Sequence, residues 1–268
     1  MSYLCKIFQI SCQGYYKSRQ KNQTKDLNEG IIIKLVQEIR RRMPMVGGKK
    51  LYRMLRPDFD ILITSIGRDK FFEILRDNGL LIVRKKRYVE TTNSTHRFRV
   101  YENLITELEV IRADEVYVSD ITYIRSEEGF CYLALITDLY SRKIVGYDVS
   151  DSLSIDGCLR SLKMAINGKD LTGLIHHSDR GLQYCSNLYT GLLQNNGIQI
   201  SMSKKGNPYE NAVAERVNGI LKEEFGLSDI FKTKKSAYKA IEEAIRTYNE
   251  FRPHMSIDYM TPDQKYAA

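Results

Sequence analysis

Along residues 30–83 the apolar positions recur at helical spacing. Ile31, Ile32, Leu35, Val36 and Ile39 form one stripe, the polar run Arg40–Arg42 closes it, and Pro44 with Gly47-Gly48 breaks the periodicity. A second helix is predicted over Lys49–Leu55. A third is predicted over Gly67–Asn78, with Phe71, Phe72, Ile74 and Leu75 as its apolar positions and Gly79 as its stop. Three short helices with tight turns fit a helix-turn-helix, although small helical bundles with other roles have the same pattern. Residues 88–112 read as a polar connector with a short helix near Tyr101–Glu109.

At residue 113 the period changes. Val116-Tyr117-Val118 and Ile121-Thr122-Tyr123-Ile124 are rich in strand formers, Glu127-Glu128-Gly129 makes a turn, and Phe130–Thr137 and Lys143–Val149 continue an antiparallel meander. Helices and strands then alternate. A helix over Ser154–Asn167 precedes a strand at Leu174–His177, and a helix over Ser186–Asn195 precedes a strand at Ile198–Ile200. Another helix is expected from Gly206-Asn207-Pro208, with Asn207 as cap, to about Glu224, and a last one spans roughly Lys235–Phe251. Three strands followed by alternating helices and strands predict a mixed sheet covered by helices.

A chain of 268 residues suggests two modules and a tail. The expected division is an N-terminal segment 1–29, a helical domain 30–88, a linker 89–112, an α/β core 113–228 and a C-terminal helix and tail 229–268. No apolar run approaches the roughly 18 residues of a membrane span. Lys6, Gln9 and Gln13 interrupt any signal-peptide stretch, so a cytoplasmic protein without membrane partners is expected. Five scattered cysteines without a CxxC pair indicate neither a disulfide framework nor a zinc cage.

The net charge of +8 is unevenly spread. Residues 1–112 hold 23 Lys and Arg against 12 Asp and Glu, whereas residues 113–268 hold 18 against 21. A basic front half suits a polyanion such as DNA. Arg84-Lys85-Lys86-Arg87 is either a phosphate-tracking linker or an ordinary solvated run. An acidic rear half needs another means of approaching DNA, and divalent metal at clustered carboxylates supplies one.

Three carboxylates stand where a folded domain should disfavour them. Asp120 interrupts an apolar strand, Asp179 follows one, and Glu215 lies among small residues of a helix. Converging carboxylates repel one another unless a cation sits between them. Hard divalent ions take such oxygen ligands, and two of them about 4 Å apart can clamp the attacking and leaving oxygens of a phosphodiester. Taken alone, an Asp at a strand end is as readily a turn former.

The residues around these carboxylates carry a resemblance. Ser119-Asp120-Ile121-Thr122-Tyr123-Ile124 and His177-Ser178-Asp179-Arg180-Gly181-Leu182-Gln183-Tyr184 resemble the first two catalytic signatures of integrase-core transposases. Lys205–Ala212, followed by Glu215 and Lys222, resembles the third, and 35 residues separate Asp179 from Glu215. Tyr248-Asn249, Arg252-Pro253-His254 and Thr261-Pro262 resemble the C-terminal signature. The match is to the second-reading-frame (OrfB) subunit of the insertion-sequence 3 family, over roughly residues 30–265. In two places the chain departs from the pattern: Tyr117 stands where the family usually has Trp, and Glu210 where it often has Asp.

The resemblance implies a ribonuclease-H-like α/β fold: a mixed five-stranded sheet with helices on both faces, preceded by the small all-α domain. It implies a transposase with Asp120, Asp179 and Glu215 as catalytic and metal-holding residues. The expected cofactor is Mg²⁺, with two ions and Mn²⁺ as a substitute. Strand cleavage is followed by attack of the freed 3′-hydroxyl on another phosphodiester. The candidate DNA contacts are Arg84, Lys85, Lys86, Arg87, Arg180, Lys204, Lys205, Asn211 and Lys222; spacing alone also allows Lys222 to be a solvent-facing lysine. His177 shares a strand face with Asp179, and His176 points the other way. The expected partners are double-stranded DNA, further copies on DNA, and an upstream first-frame product or its frameshift fusion, in the bacterial nucleoid. A hydrolysis-only nuclease and an inactive DNA-binding regulator are the competing readings.

Overall fold

The computed structural model describes residues 5, 7–9, 11–62, 66–82, 98–204 and 211–268. The chain forms two compact units, Met1–Arg84 and Lys85–Ala268. Among the described residues no helix is long and apolar enough to cross a membrane.

In the first unit, α1 (Cys12–Arg42) is capped by the Ser11 hydroxyl, which accepts from Gly14 N. It therefore runs unbroken across residue 30, where the sequence pattern placed its start. Its first half has no apolar stripe to betray it; among the described side chains only the later turns are buried, with Ile32 and Val36 at 0% exposure. The second helix, α2 (Gly48–Leu62), continues past Leu55 and carries Pro57 inside it. With α3 (Arg68–Asp77) it closes a small core in which Tyr52, Phe59 and Phe71 meet at ring-centroid distances of 5.6–6.2 Å. The guanidinium of Arg40 donates to Leu80 O at 2.7 Å, joining α1 to the segment after α3.

The second unit is built on a five-stranded sheet of order β3-β2-β1-β4-β5. The strands are β1 (Val116–Ser126), β2 (Gly129–Asp138), β3 (Ile144–Ser150), β4 (Ile175–Ser178) and β5 (Gln199–Met202). The first three form the antiparallel meander, and β4 and β5 add parallel to β1. The mixed sheet expected of a ribonuclease-H-like fold is thus present. The helices are α4 (Ile155–Ile166), α5 (Leu182–Cys185), α6 (Asn187–Asn195), α7 (Ala212–Glu224), α8 (Lys234–Phe251) and α9 (Pro262–Tyr266).

Alternation along the strands divides the core into two layers. Tyr117, Ala134 and Ile136 face α4, α5 and α6, meeting Cys158, Leu162, Tyr184 and Tyr189. Ile124, Leu133 and Leu135 face α7 and α8, meeting Val217, Leu221, Ile241 and Tyr248. The segment beyond residue 228 therefore closes the same core as α7. At Gly146 an added Cβ would lie 2.2 Å from Ser161 O, so α4 rests directly on the β3 backbone.

The helix expected near Tyr101–Glu109 is not formed. The backbone there is engaged at the open edge of β5: Met202 N donates to Glu102 O at 3.3 Å, and Leu104 N donates to Ser201 Oγ at 2.9 Å. Edge strands need such cover, and here tertiary pairing outweighs local helical propensity. At the opposite edge a side chain pairs with the first residue of β3. Asn249 accepts from Ile144 N and donates to Ile144 O, both at 3.0 Å.

Tyr117, which replaces the family's usual Trp, is fully buried in the first layer, and its hydroxyl donates to Asp114. The expected start of α7 at Asn207-Pro208, and the Glu210 departure, lie outside the described residues.

Candidate active site

The site follows from one register. Ser119 of β1 pairs with Ser178 of β4 in a parallel ladder. One step further along, Asp120 of β1 and Asp179, the residue just beyond β4, therefore stand side by side. They point to the same face as Val118 and Ile175, which pack against Ala214 of α7. The 3.6-residue period of α7 places Glu215, Asn218 and Lys222 on one side of that helix.

Asp120 is half-buried and held at both oxygens. Ile121 N donates to Oδ1 at 2.9 Å, and Asn218 Nδ2 donates to Oδ2 at 2.8 Å. Burial and the neighbouring Asp179 raise its pKa to about 7, against the opposing effect of those two donors; Glu215 adds to the rise. Asp179 is oriented by Gly181 N, which donates to its Oδ1 at 2.9 Å. A Cβ at residue 181 would lie 2.9 Å from that oxygen, so the turn accommodates glycine where a larger residue would displace the carboxylate. Glu215, in the first turn of α7, is exposed, and its pKa is raised by burial and then by Asp179.

These carboxylates repel one another in the metal-free protein, which suits a hard divalent cation. Among the described residues no group of three or more His, Cys, Asp and Glu side chains is arranged to hold a metal ion as it stands. The ready part of the site is the Asp120–Asp179 pair. Mg²⁺ fits such a pair because it retains water and takes phosphate oxygens into its shell.

The candidate DNA contacts divide. Lys222 is half-buried, with its ammonium 4.6 Å from the centroid of the Tyr123 ring; burial lowers its pKa and Asp120 opposes that. It is therefore not the solvent-facing lysine that spacing allowed. Asn211 is 4% exposed and stands at the N-cap position of α7, and its amide donates to Ser119 O at 3.2 Å, fastening α7 to β1. Arg180 Nε donates to Ser203 O at 2.7 Å, bridging the ends of β4 and β5, and Lys204 beyond it is exposed. Arg84, Lys85, Lys86, Arg87 and Lys205 lie outside the described residues.

Asn218 escaped the sequence reading, although it lies three residues beyond Glu215 and four before Lys222, so helical spacing would have found it. The two histidines take the opposite faces expected of them, in a buried polar row under the carboxylates. His176 lies on the α6 side of the sheet, with burial pushing its pKa down to about 3, and His177 lies on the α7 side with its Nδ1 2.8 Å from Ser201 Oγ.

Comparison with known proteins places the chain among integrase-core proteins of insertion elements. Residues 111–208 match the family described as Integrase core domain, and residues 196–262 match a second family of the same description. The 31 kDa protein of insertion element IS600 from Shigella sonnei is 33% identical over 265 residues, covering 97% of this chain and 96% of its own. Transposase InsF for insertion sequence IS3A of Escherichia coli is 31% identical over 193 residues, covering 71% of this chain and 67% of its own. The HTLV-2 integrase catalytic core domain, solved in complex with magnesium, is similar at 18% identity with a TM-score of 0.47; the match covers 59% of this chain and 99% of that one.

Proposed function

The chain belongs to the insertion-sequence 3 family of transposases and carries their integrase core, and on that premise we propose that Asp120, Asp179 and Glu215 catalyse cleavage and joining of DNA strands at the ends of the element. The observation that carries this reading is the parallel pairing of Ser119 with Ser178, which sets Asp120 beside Asp179 under α7.

Asp120 and Asp179 would hold a divalent cation, with Glu215 joining from α7. When bound, Mg²⁺ neutralises charge at the attacking and leaving oxygens of the phosphodiester. The chain's own residues do the positioning. Ile121 N and Asn218 Nδ2 fix Asp120, Gly181 N fixes Asp179, and Asn211 ties the start of α7 to β1. Lys222, steadied on Tyr123, supplies positive charge for a phosphate next to the scissile bond. In the first step water attacks phosphorus and the P–O3′ bond breaks, releasing a 3′-hydroxyl. In the second step that oxygen attacks a phosphorus of the target in line, the target's P–O3′ bond breaks, and its 3′-oxygen leaves with the proton the attacking hydroxyl gives up. Bond is exchanged for bond, and no covalent enzyme intermediate is required.

The test is Asp179→Asn on DNA carrying the element's terminal repeats. Nicking and joining should be abolished with DNA binding retained, and full joining by the variant would sink the assignment. A joined product from the wild type separates this reading from a nuclease that only hydrolyses. Partners are read in the same way: double-stranded DNA at ends and target, further copies on DNA, and the first-frame product or its frameshift fusion. Comparing the isolated chain with the fusion on terminal repeats against scrambled DNA tests the last of these. Equal discrimination by both would remove the first-frame product from the reading.

A further inference from the structure

Beneath the carboxylates the sheet buries a row of polar side chains. Ser119, His176, His177, Ser178 and Ser201 are each no more than 1% exposed. Polar groups sealed in a core lower stability unless they are partnered, so such a row calls for a physical reason. On the α6 side, two hydroxyls converge on one ring nitrogen. Ser119 Oγ is 2.6 Å and Tyr189 OH 2.9 Å from His176 Nε2. The imidazole also packs edge-on against Tyr189, with ring centroids 5.3 Å apart. Its Nδ1 is buried without a hydrogen-bond partner, so the ring is held by Nε2 and by packing.

The position of this cluster matters more than its composition. Ser119 immediately precedes Asp120, and His176 lies three residues before Asp179. The β1–β4 ladder ends at the Ser119–Ser178 pair, so no further described β1–β4 pairing holds the strands together at the level of the two aspartates. The contact from Ser119 to His176 crosses from β1 to β4 just where that ladder stops, on the face opposite the carboxylates. Tyr189 anchors the same nitrogen to α6.

We propose that Ser119, His176 and Tyr189 form a bolt that sets the spacing of β1 and β4, and through it the separation of Asp120 and Asp179 offered to a divalent cation. The three are positioning residues and touch neither cation nor DNA. The inference rests on the reading of Asp120 and Asp179 as the cation-holding pair. A small ion that demands near-ideal geometry is sensitive to that separation, and a larger or more tolerant ion is less so.

The experiment uses the full chain with Tyr189→Phe and Ser119→Ala, singly and together, and with Ser119→Thr as the variant that keeps a hydroxyl. Mn²⁺ binding is measured without DNA from the loss of the free-ion electron paramagnetic resonance signal. The Mg²⁺ and Mn²⁺ concentrations giving half-maximal nicking are measured separately. Tyr189→Phe and Ser119→Ala should each weaken Mn²⁺ binding and raise the Mg²⁺ requirement by about tenfold, the scale seen when groups behind metal ligands are removed. The Mn²⁺ requirement for nicking should rise less, DNA binding should be unchanged, and the double variant should be no worse than Ser119→Ala alone. Ser119→Thr should bind Mn²⁺ as the wild type does. Tyr189→Phe removes a single oxygen, so it keeps the test open if Ser119→Ala does not fold. Wild-type Mn²⁺ affinity and Mg²⁺ requirement in Tyr189→Phe, even with lowered thermal stability, would overturn the bolt. Asp120→Asn is the control. If it loses Mn²⁺ binding while Tyr189→Phe does not, the bolt alone fails; if it keeps both Mn²⁺ binding and joining, the reading of the site fails and the bolt with it.

Discussion

Arg252 and Glu224 meet as a bidentate ion pair closed off from water. Arg252 Nε donates to Glu224 Oε2 at 2.9 Å and Nη2 donates to Oε1 at 3.0 Å, with the two side chains 2% and 6% exposed. Glu224 is the last residue of α7, and Arg252 follows α8 directly. The pair therefore ties the distal end of the helix carrying Glu215, Asn218 and Lys222 to the C-terminal segment. Tyr248 extends the tie by donating to Arg142 O at 2.9 Å and stacking edge-on with His254. Arg252-Pro253-His254, which resembles part of the family's C-terminal signature, is thus fastened within the fold.

Breaking that pair from one side leaves a buried charge without its partner. Arg252→Ala should destabilise the sheet-bearing unit by about 3–5 kcal/mol, whereas replacing both partners by Met should be close to neutral. Urea unfolding of the two variants checks this. Equal destabilisation in both would mean that the packing of the side chains, and not their charges, holds the segment.

The pKa of Asp120 gives a pH dependence of definite sign. Its value is about 7 in the folded protein against 3.8 ordinarily, so the fold binds this proton more tightly than the unfolded chain does. That contribution is fully present below the ordinary value and is lost as the pH rises to about 7. Without metal, the wild type should therefore lose stability relative to Asp120→Asn on going from about pH 4 to about pH 7, with no further relative change above. Thermal unfolding in EDTA across that range tests it. A constant difference would show that the carboxyl is not shifted.

Asn218 donates to Asp120 and lowers the pKa that burial and Asp179 raise. Asn218→Ala removes that donor. Asp120 should then keep its proton to higher pH, and the pH at which Mg²⁺ half-activates nicking should move upward, with DNA affinity unchanged. An unshifted profile with a uniformly lower rate would assign Asn218 to shaping α7 instead.

The basic run Arg84-Lys85-Lys86-Arg87 has a salt signature that DNA-binding measurements read directly. If these side chains neutralise phosphates, each one replaced by a neutral residue should flatten the dependence of log K on log salt by about 0.9. Neutralising all four should lower affinity and flatten the slope together. An unchanged slope makes the run an ordinary solvated linker.

Local pattern carried much of this protein. The β-branched runs before and after Asp120 mark one strand, and the period of Phe71, Ile74 and Leu75 marks a helix, because burial of one face imposes a repeat that a single stretch of chain displays. The carboxylates were legible for a related reason: a charge within an apolar run departs from its neighbours, and the flanking motifs match a known signature. What the chain could not display is which distant groups meet. Asn218 and Asp120 are 98 residues apart, Asn211 and Ser119 are 92 apart, and Ser119 and His176 are 57 apart. The polar segment at Tyr101–Glu109 has helical spacing, but its backbone covers the edge of β5. Periodicity records the environment of one element averaged over its length. Hydrogen bonds and ion pairs between elements depend on register and helix placement, which exist only once the sheet has assembled, and so tertiary structure alone decided which partners Asn211, Lys222 and Arg252 meet.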